Sequence, residues 1–551
     1  MKLSQHIPIN NHLRFRAKPK RFSRFISLAL CVLILSSCSV ESGNSIANDF
    51  AASAGDAQRL PNIIFIMADD LGYGDIEPYG QKIIKTPNLS HLANAGMRFT
   101  QHYAGSTVCA PSRSVLMTGR HTGNAYIRGN YELGGFSDAE ERGQLPLKSN
   151  TVTLATVLKQ AGYKTGAFGK WGLGGPGSEG LPTKQGFDEF LGYLDQKQAH
   201  NYYPTHLWHG TTKLAERWFA LDNPPINVHP RFNRKERWKK VDAQKRYKDY
   251  MGNEYAPDPI AKRTLEFIRE HKNDPFFLYL AYVAPHAALQ VPDSELAEYD
   301  FLSPEQPHRG EKGYTPHPRP RAARAAMISY MDKAIGDVID LIDELKLGKD
   351  TLIIFTSDNG PAVEGGGDLA FFNSAGGLRG RKRDLYEGGI RVPFIAMWPG
   401  QIKAGSTSDH ISAFWDLMPT FADIAGVDIN TKTDGISFKP TLLGKPQTEQ
   451  HESLYWEFHE SKPAQAVLMG QWKGIRRYSK RNMNQIPALE LYDLSTDIGE
   501  NNDVAAKHPD IVKKIISVMD SRTVAEIDNW NFGQDADLAN AVGHNGNSKL
   551  K

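Results

Sequence analysis

Six polar residues stand shortly after apolar runs of the chain, and together they have the chemistry of a catalytic centre. They are Asp69 and Asp70 after the run 62–68, Lys170 after 165–168, His286 after 276–283, and Asp358 and Asn359 after 352–356. Continuous apolar runs of this length predict strands that are buried on both faces of a mainly parallel sheet. The carboxyl ends of such strands share one edge, where ligands bind, so we expect the six side chains to lie together.

Four of these residues predict a metal site. Asp69, Asp70, Asp358 and Asn359 supply only hard oxygen ligands, which favour Ca²⁺ or Mg²⁺ over zinc or copper. An alternative for Asp69-Asp70 is a capping or turn pair at the end of a strand. The acid and amide on a second strand make the metal site the preferred interpretation.

A cysteine opens a predicted helix. In Cys109-Ala110-Pro111-Ser112-Arg113 the proline suits the first helical turn, so Cys109 would lie at a helix N-terminus, where free N–H groups favour anions. Arg113 would follow one turn later on the same face. Of the three cysteines, Cys31 and Cys38 belong to the N-terminal segment, which leaves no intrachain disulfide framework. A lone thiol in an exported protein is expected to be buried, reactive or chemically converted.

The first 37 residues predict an export signal. A basic region without acidic residues precedes an apolar run at 25–35, which is too short to span a bilayer. The run ends in Leu35-Ser36-Ser37-Cys38, which resembles a bacterial lipobox, so Cys38 is predicted to carry a lipid anchor in the membrane. The alternative is an ordinary signal peptide with a chance cysteine. Lys20-Arg21 only weakly resembles a twin-arginine signal, so the export route stays open. We expect a lipoprotein of the bacterial cell envelope, in the periplasm or at the outer membrane.

The charge balance changes when this signal is removed. The Lys and Arg residues fall from 65 to 58 while the Asp and Glu residues stay at 62, so a net charge of +3 becomes −4. This balance predicts no nucleic-acid partner.

The remaining chain predicts an α/β fold with a small C-terminal subdomain. We assign a flexible tether to 38–60, a catalytic domain to 61–430, a subdomain to 431–532 and a tail to 533–551. A strand at 392–397 and helices at 153–161 and 321–345 complete the large, mostly parallel sheet with its flanking helices. Runs at 453–458, 465–469, 472–477 and 489–494 predict a small antiparallel sheet, and a helix is expected at 509–519.

The motifs carry a family resemblance. Cys109-Ala110-Pro111-Ser112-Arg113, followed after three residues by Met117-Thr118-Gly119, resembles the signature of the formylglycine-dependent sulfatases of the alkaline phosphatase-like superfamily. Met117 replaces the usual leucine. Further matches run in family order over most of the chain: Asp69 to Asp75, Gly169-Lys170-Trp171, Pro285-His286, Ser357 to Gly360, and Tyr386 to Pro393.

The resemblance implies a role for each residue. A separate maturation enzyme would oxidise Cys109 to formylglycine, whose hydrate attacks sulfur and also touches a calcium ion held by the four oxygen donors. Arg113 would steady the hydrate and Lys170 would bind sulfate. Lys382 would contact the sulfate and the leaving oxygen, and His286 would protonate the departing alcohol. As alternatives, Lys382 lies in a basic loop at 379–383 that could be solvated, and His286 could be structural.

One position departs from the family. The family commonly has Gly-Lys-x-His, whereas this chain has Gly169-Lys170-Trp171-Gly172. The absent imidazole is the usual candidate base for release of sulfate. His200 is the predicted replacement, or equally a residue that contacts the substrate.

The expected function is hydrolysis of a sulfate ester on a sulfated carbohydrate. Two alternatives remain: a phosphate or phosphonate ester hydrolase of the same architecture, and a non-catalytic envelope lipoprotein that binds sulfated glycans. The basic run at 231–248 could grip a sulfated polymer or form a solvated helix face. Glu457 and His459 could reach the mouth of the site and have no assigned role.

Overall fold

The computed structural model describes residues 59–134, 141–226, 243–310 and 314–532. The predicted signal peptide, the Cys38 anchor, nearly all of the tether, the tail and most of the basic run at 231–248 lie outside these residues. No helix of the described residues is long and apolar enough to cross a membrane.

The strands form two sheets. In chain order they are β1 Asn62–Ala68, β2 Met97–Tyr103, β3 Lys164–Lys170, β4 Glu189–Tyr193, β5 His206–Thr211, β6 Leu214–Ala220, β7 Phe276–Ala281, β8 Thr351–Ser357, β9 Arg391–Met397, β10 Ser406–Ser408, β11 Ser412–Ala413, β12 Leu454–Phe458, β13 Ala464–Met469, β14 Trp472–Arg477 and β15 Leu489–Asp493. The large sheet has the order β10-β2-β9-β8-β1-β7-β3-β4-β5-β6, with β11 beside β2, and the small sheet has the order β12-β13-β14-β15.

The helices flank these sheets. They are α1 Pro87–Ala95, α2 Cys109–Thr118, α3 Leu154–Gln160, α4 Ala243–Lys248, α5 Pro257–Glu270, α6 Asp293–Ala297, α7 Pro320–Glu344, α8 Leu369–Phe372, α9 Glu387–Ile390, α10 Leu417–Ala425, α11 Lys439–Leu442 and α12 Pro509–Asp520.

The centre of the large sheet is parallel, as the apolar runs predict. β1 pairs in parallel with β7 on one side and with β8 on the other, and β7 continues in parallel to β3 and β4. β1 is buried along its whole length. Its alternate residues enter two hydrophobic layers: Ile63, Phe65 and Met67 face one layer, and Ile64 and Ile66 face the other. The predicted mostly parallel α/β fold is therefore confirmed, and β1, β3, β7 and β8 all end at the same edge.

The small sheet is an antiparallel meander, as predicted. One of its faces packs on the core of the large sheet through residues such as Trp456 and Ile475. The other face packs against α12 through Val467, Leu491 and Ile515. The sequence analysis did not predict β2, the edge strands β10 and β11, or the three strands β4 to β6.

Candidate active site

Helix α2 places Cys109 at the centre of the site. The helix begins at Cys109 and ends at Thr118, and the following residue, Gly119, has the left-handed conformation (φ 64°) that glycine adopts without strain. Cys109 is buried and its thiol donates a hydrogen bond to Asp69 Oδ1 at 3.3 Å. Burial, together with the negative charge of Asp69, raises the pKa of the thiol above its ordinary value. The unmodified thiol is therefore neutral and is a weak nucleophile.

The carboxylates meet across the adjacent strands β1 and β8. Asp69 and Asp70 follow β1, and Asp358 follows β8, where its Oδ1 accepts a hydrogen bond from the Asp70 amide at 3.2 Å. Asn359 Nδ2 donates to Asp70 Oδ1 at 2.8 Å. All four side chains are buried, as expected for groups aimed into a site at the sheet edge.

Arg113 joins three of the strand ends. Its Nη2 lies 2.8 Å from Asp358 Oδ2 and 3.4 Å from Asp69 Oδ2. Its Nη1 donates to the carbonyl of Lys170 at 2.6 Å. The guanidinium is fully buried, so it fixes the relative positions of β1, β3 and β8 around Cys109.

Three further basic groups point at the same carboxylates. Lys170 Nζ forms an ion pair with Asp69, and Lys382 Nζ lies 2.7 Å from Asp70 Oδ1 and 3.5 Å from Cys109 Sγ. His286 Nε2 lies 3.4 Å from Asp70 Oδ2. Lys382 is buried at the site, which contradicts the alternative that it belongs to a solvated basic loop.

These charged groups and their burial shift one another's pKa values. Burial acts to raise the pKa of Asp69, but Lys170, His286 and Arg113 outweigh it and the pKa is lowered. Burial, with the charge of Asp69, raises the pKa of Asp358 to about 6. Burial also lowers the pKa of His286 to about 4. His286 Nδ1 donates to the Ala287 carbonyl, so Nε2 carries a lone pair unless the ring is protonated.

The donor set fits a hard cation. Ligand atoms of Asp69, Asp70, Cys109 and His286 lie within 4.8 Å of one another. Among the described residues, the buried Asn359 Oδ1 has no hydrogen-bond partner, as expected for an oxygen whose partner is a metal ion. This group includes His286, which the sequence analysis assigned to proton transfer and not to metal binding. Asp358 is not in the group, but its side chain contacts the Asp70 amide. Carboxylate and amide oxygens still dominate, which is the set that Ca²⁺ and Mg²⁺ prefer.

His200 is brought to the site by another histidine. It closes a short 3-10 turn, Gln198–His200, after β4. Its ring stacks on the ring of His286, with centroids 4.5 Å apart and an angle of 7° between the planes. Tyr314 packs edge-on against the His200 ring at 5.3 Å. His200 therefore lies next to a residue of the candidate active site, as the sequence analysis expected, and its role stays a prediction.

Gln196 fills the space beside Gly172. Gly172 has a φ of 79°, and a Cβ atom built on it would lie 2.8 Å from Gln196 Cγ. Gln196 Nε2 donates to Asn130 Oδ1 at 3.2 Å, and the same oxygen accepts the Ala110 amide at 3.1 Å. The glutamine is thus connected through Asn130 to the first turn of α2.

The sequence analysis missed Gln196 and Asn130. A signal for Gln196 was present, because it comes three residues after the end of β4, the strand that pairs with β3, and β3 itself ends at Lys170. The segment 189–193 was not recognised as a strand, so the rule of polar residues after strand ends was not applied to it. Asn130 lies outside any strand or helix, and nothing in its local sequence marks it.

Glu457 and His459 belong to a buried network. Glu457 is fully buried and lies 2.9 Å from Arg128 Nη1, 3.5 Å from Arg522 Nη1 and 2.9 Å from His459 Nε2. Burial acts to raise the pKa of Glu457, but Arg128 and Arg522 lower it overall. These contacts assign Glu457 to packing between the small sheet and the segment around Arg128. Of the basic run at 231–248, the structure describes only the helix α4, Ala243–Lys248.

Comparison with known proteins identifies the family. A family model described as Sulfatase matches residues 61–427. The chain belongs to the sulfatase family. A second model, N-sulphoglucosamine sulphohydrolase, C-terminal, matches residues 380–526 of this sulfatase. Sulfatases are sulfuric ester hydrolases of the alkaline phosphatase-like superfamily, so the protein is an enzyme of that class.

Three relatives illustrate the match. This sulfatase is 29% identical to the N-acetylgalactosamine-6-O-sulfatase of Bacteroides thetaiotaomicron, over 91% of this chain and 99% of that protein. It is 33% identical to arylsulfatase A of Homo sapiens, over 83% of this chain and 86% of the human protein. The solved structure of Ps i-CgsB in complex with k-i-k-neocarrahexaose superposes with a TM-score of 0.64 at 27% identity, covering 84% of this chain and 92% of the other.

Proposed function

We propose that this sulfatase removes sulfate esters from a carbohydrate and uses a formylglycine made from Cys109. The observation that carries the proposal is the arrangement around Cys109, where Asp69, Lys382 and the first turn of α2 surround one buried side chain. When Cys109 is converted to the aldehyde, one hydroxyl of its hydrate supplies the nucleophile and loss of the proton from the other expels sulfate. A serine would lack the second hydroxyl and would have no such route for release.

A calcium ion is proposed at the same place, with magnesium the less favoured ion. Asp69, Asp70, Asp358 and Asn359 would hold it, together with the oxygen that replaces the sulfur of residue 109. When bound, such an ion acts as a Lewis acid that polarises oxygen atoms of the reacting groups. The buried Asn359 Oδ1 and the excess of carboxylate oxygens support this assignment.

The basic residues are proposed to handle the sulfuryl group and the leaving alcohol. Lys170 pairs with Asp69 and Lys382 pairs with Asp70, and both lysines would bind the sulfate oxygens as negative charge shifts towards the leaving oxygen. Arg113 would hold the orientation of residue 109. His286 would deliver a proton to the alcohol from Nε2. Because burial keeps the resting ring neutral, that proton would have to reach Nε2 during the reaction, and Asp70 at 3.4 Å favours the protonated ring.

Two alternative roles are proposed for His200. With Gly172 in place of the usual imidazole, His200 is proposed either as the base for sulfate release or as a contact to the substrate. Its stacking on His286 supports a position at the reacting end of the substrate. Full activity in a His200→Ala variant would contradict both roles.

A carbohydrate substrate is proposed from the relatives. The first relative described above is named as an N-acetylgalactosamine-6-O-sulfatase, and the solved structure is a complex with k-i-k-neocarrahexaose. The N-terminal sequence supports an envelope location, with a lipid anchor on Cys38 and an external maturation enzyme for Cys109. Such an enzyme would act on sulfated oligosaccharides at the cell surface or in the periplasm.

Two measurements test the proposal. Protein produced with a maturation enzyme should give a peptide containing residue 109 that is lighter by about 18 Da, the difference between a thiol and an aldehyde side chain. The same protein should hydrolyse 4-nitrophenyl sulfate and leave 4-nitrophenyl phosphate largely intact. An unconverted thiol, in a host that matures another sulfatase, would overturn the mechanism. Preferred hydrolysis of the phosphate would favour the phosphoesterase alternative.

A further inference from the structure

A cavity lies beside the candidate active site, at the junction with the small sheet. Its volume is about 500 Å³. One wall comes from the loop before α9 and includes Arg379 and Arg383. The opposite wall comes from the segment around β13 and β14 and includes Lys462 and Arg477.

The lining of this cavity is strongly basic. These four cations line it against a single carboxylate, Asp384. The other acids that bind the four cations lie outside the lining: Arg383 pairs with Glu364, and Arg477 lies 2.5 Å from Glu490. Lys462 pairs with Asp384 in the lining itself. Four cations therefore meet three acids, which leaves a net charge of +1, and among the described residues Arg379 has no carboxylate partner. Such a lining favours an anionic ligand.

Two arginines of the cavity wall, Arg379 and Arg383, have hydrogen-bond donors that a ligand could use. Arg379 lies over the ring of Tyr386, with its Cζ atom 3.9 Å from the ring centroid. Its Nη1 donates hydrogen bonds to the Tyr492 hydroxyl and the Glu500 carbonyl. Arg383 uses Nη1 for Glu364. Within the described residues, neither arginine uses Nη2 in a hydrogen bond. A planar guanidinium held in this way suits bidentate binding of a carboxylate or a sulfate.

The cavity adjoins the reacting residues through the backbone. Lys382, whose Nζ lies 3.5 Å from Cys109 Sγ, immediately precedes Arg383. The Arg383 amide donates to the Thr107 carbonyl at 3.1 Å, and the Thr107 hydroxyl donates to the Asp384 carbonyl at 2.9 Å. The wall of the cavity is therefore fixed to the segment that leads into Cys109. This closeness suits a neighbouring group of the same substrate molecule.

We propose that this cavity binds a second anionic substituent, a sulfate or a carboxylate, on the sugar unit next to the one that is desulfated. The preferred substrate is then an oligosaccharide with at least two negative charges. This inference rests on the proposed function, because it assigns the neighbouring part of the same substrate.

The experiment uses matured enzyme and four variants. The probes are a disaccharide that carries one sulfate ester and a uronate on the neighbouring sugar, its carboxyl-reduced form, and a form with a second sulfate instead of the uronate. Each is measured as a competitor of 4-nitrophenyl sulfate hydrolysis and, separately, by calorimetric binding. The doubly charged probes should bind about fivefold more tightly than the reduced form, the effect of one partly exposed ion pair.

The variants Arg477→Ala and Lys462→Ala should remove this preference and leave hydrolysis of 4-nitrophenyl sulfate unchanged. Both side chains are more than half exposed, so neither change should disturb folding. Arg269→Ala and Lys262→Ala are matched controls, because they remove cations that pair with Glu344 and Glu266 on a distant surface. Both controls should keep the preference.

The outcomes separate the two proposals. Equal binding of charged and reduced probes, or a preference that survives in both cavity variants, would overturn the inference. A preference for only one of the two charged probes identifies the substituent. Failure of every protein to release sulfate from 4-nitrophenyl sulfate and from all three disaccharides would refute the proposed function, and the calorimetric comparison would still decide whether the cavity binds the second anion.

Discussion

Replacing Lys473 by methionine should weaken the junction between the small sheet and the rest of the molecule. Lys473 lies on β14 and is fully buried, and its Nζ lies 2.7 Å from Glu387 Oε1 and 4.0 Å from Glu500 Oε1. Glu387 begins α9, directly after the loop that contains Lys382. Its Oε2 accepts a hydrogen bond from the Tyr103 hydroxyl at 2.8 Å. The lysine therefore neutralises the Glu387 carboxylate and lies near a second buried carboxyl group, that of Glu500, from another part of the chain.

The expected loss follows from this burial. Removing one partner of a buried ion pair costs about 3–5 kcal/mol, because the other charge is left unpaired in a medium of low polarity. Arg391 Nη1 remains 3.2 Å from Glu387 Oε2, so we expect the lower end of that range, about 3 kcal/mol. Methionine has nearly the length of the lysine side chain and creates little cavity.

Thermal unfolding with intrinsic fluorescence and calorimetry measures the loss. If the small sheet unfolds as a separate unit of about 100 residues, 3 kcal/mol lowers its midpoint by roughly 12–24 °C. If all the described residues unfold in one step, the larger entropy of unfolding reduces the shift to about 3 °C. The size of the shift therefore also reports whether the two sheets unfold together.

A matched surface variant and a double variant complete the test. Arg269→Met removes an exposed partner of Glu344 and should change the free energy of unfolding by less than about 0.5 kcal/mol. Adding Glu387→Gln to Lys473→Met should recover part of the loss, because the unpaired charge is removed. The reasoning is falsified if Lys473→Met is as stable as the surface variant.

Three shorter predictions concern the same molecule. Burial raises the pKa of Glu500 to about 8, so the folded state holds this proton more tightly than the unfolded state does. The free energy of unfolding should therefore fall as pH rises from about 4.5 to 8. Glu500→Gln should flatten this profile when thermal unfolding is measured across that range. Gly172→Ala should cost about 2 kcal/mol through its positive φ and its contact with Gln196, and adding Gln196→Ala should restore part of that stability in urea titrations. Cys109→Ser should release about one equivalent of nitrophenol per site and then stop, because serine has no second hydroxyl; steady turnover measured by rapid quench would contradict the mechanism.

Much of the fold could be predicted from hydrophobic patterning. The runs that became β1, β7 and β8 are continuous and apolar because both faces of these strands are covered, and the structure ends each strand within two residues of its predicted limit. The strands β5 and β6 were missed because they carry polar and exposed residues and lie near the edge of the sheet. Near the edge of a sheet, pairing with neighbouring strands determines whether a segment is extended, and the local hydrophobic pattern predicts it poorly.

The composition of the site was predictable for the same reason, and its contacts were not. Asp69 and Asp358 each follow a strand and Lys170 ends one, so their meeting follows from parallel topology. The stacking of His200 on His286 depends on how a loop after β4 folds back, which no periodic pattern encodes. Asn130 depends in the same way on a contact between segments far apart in the sequence.

The pairing of β1 has a consequence for how the chain folds during synthesis. Ile63 pairs with Phe277 and with Leu352, so the central strand waits for partners that are made more than 200 residues later. Contacts of such long sequence separation form slowly. During this delay Cys109 has been synthesised, yet the sheet that buries it cannot close. If Cys109 is matured as proposed, the topology that buries it in the finished enzyme would also give the maturation enzyme time to reach it first, and faster closure of the sheet would compete with activation.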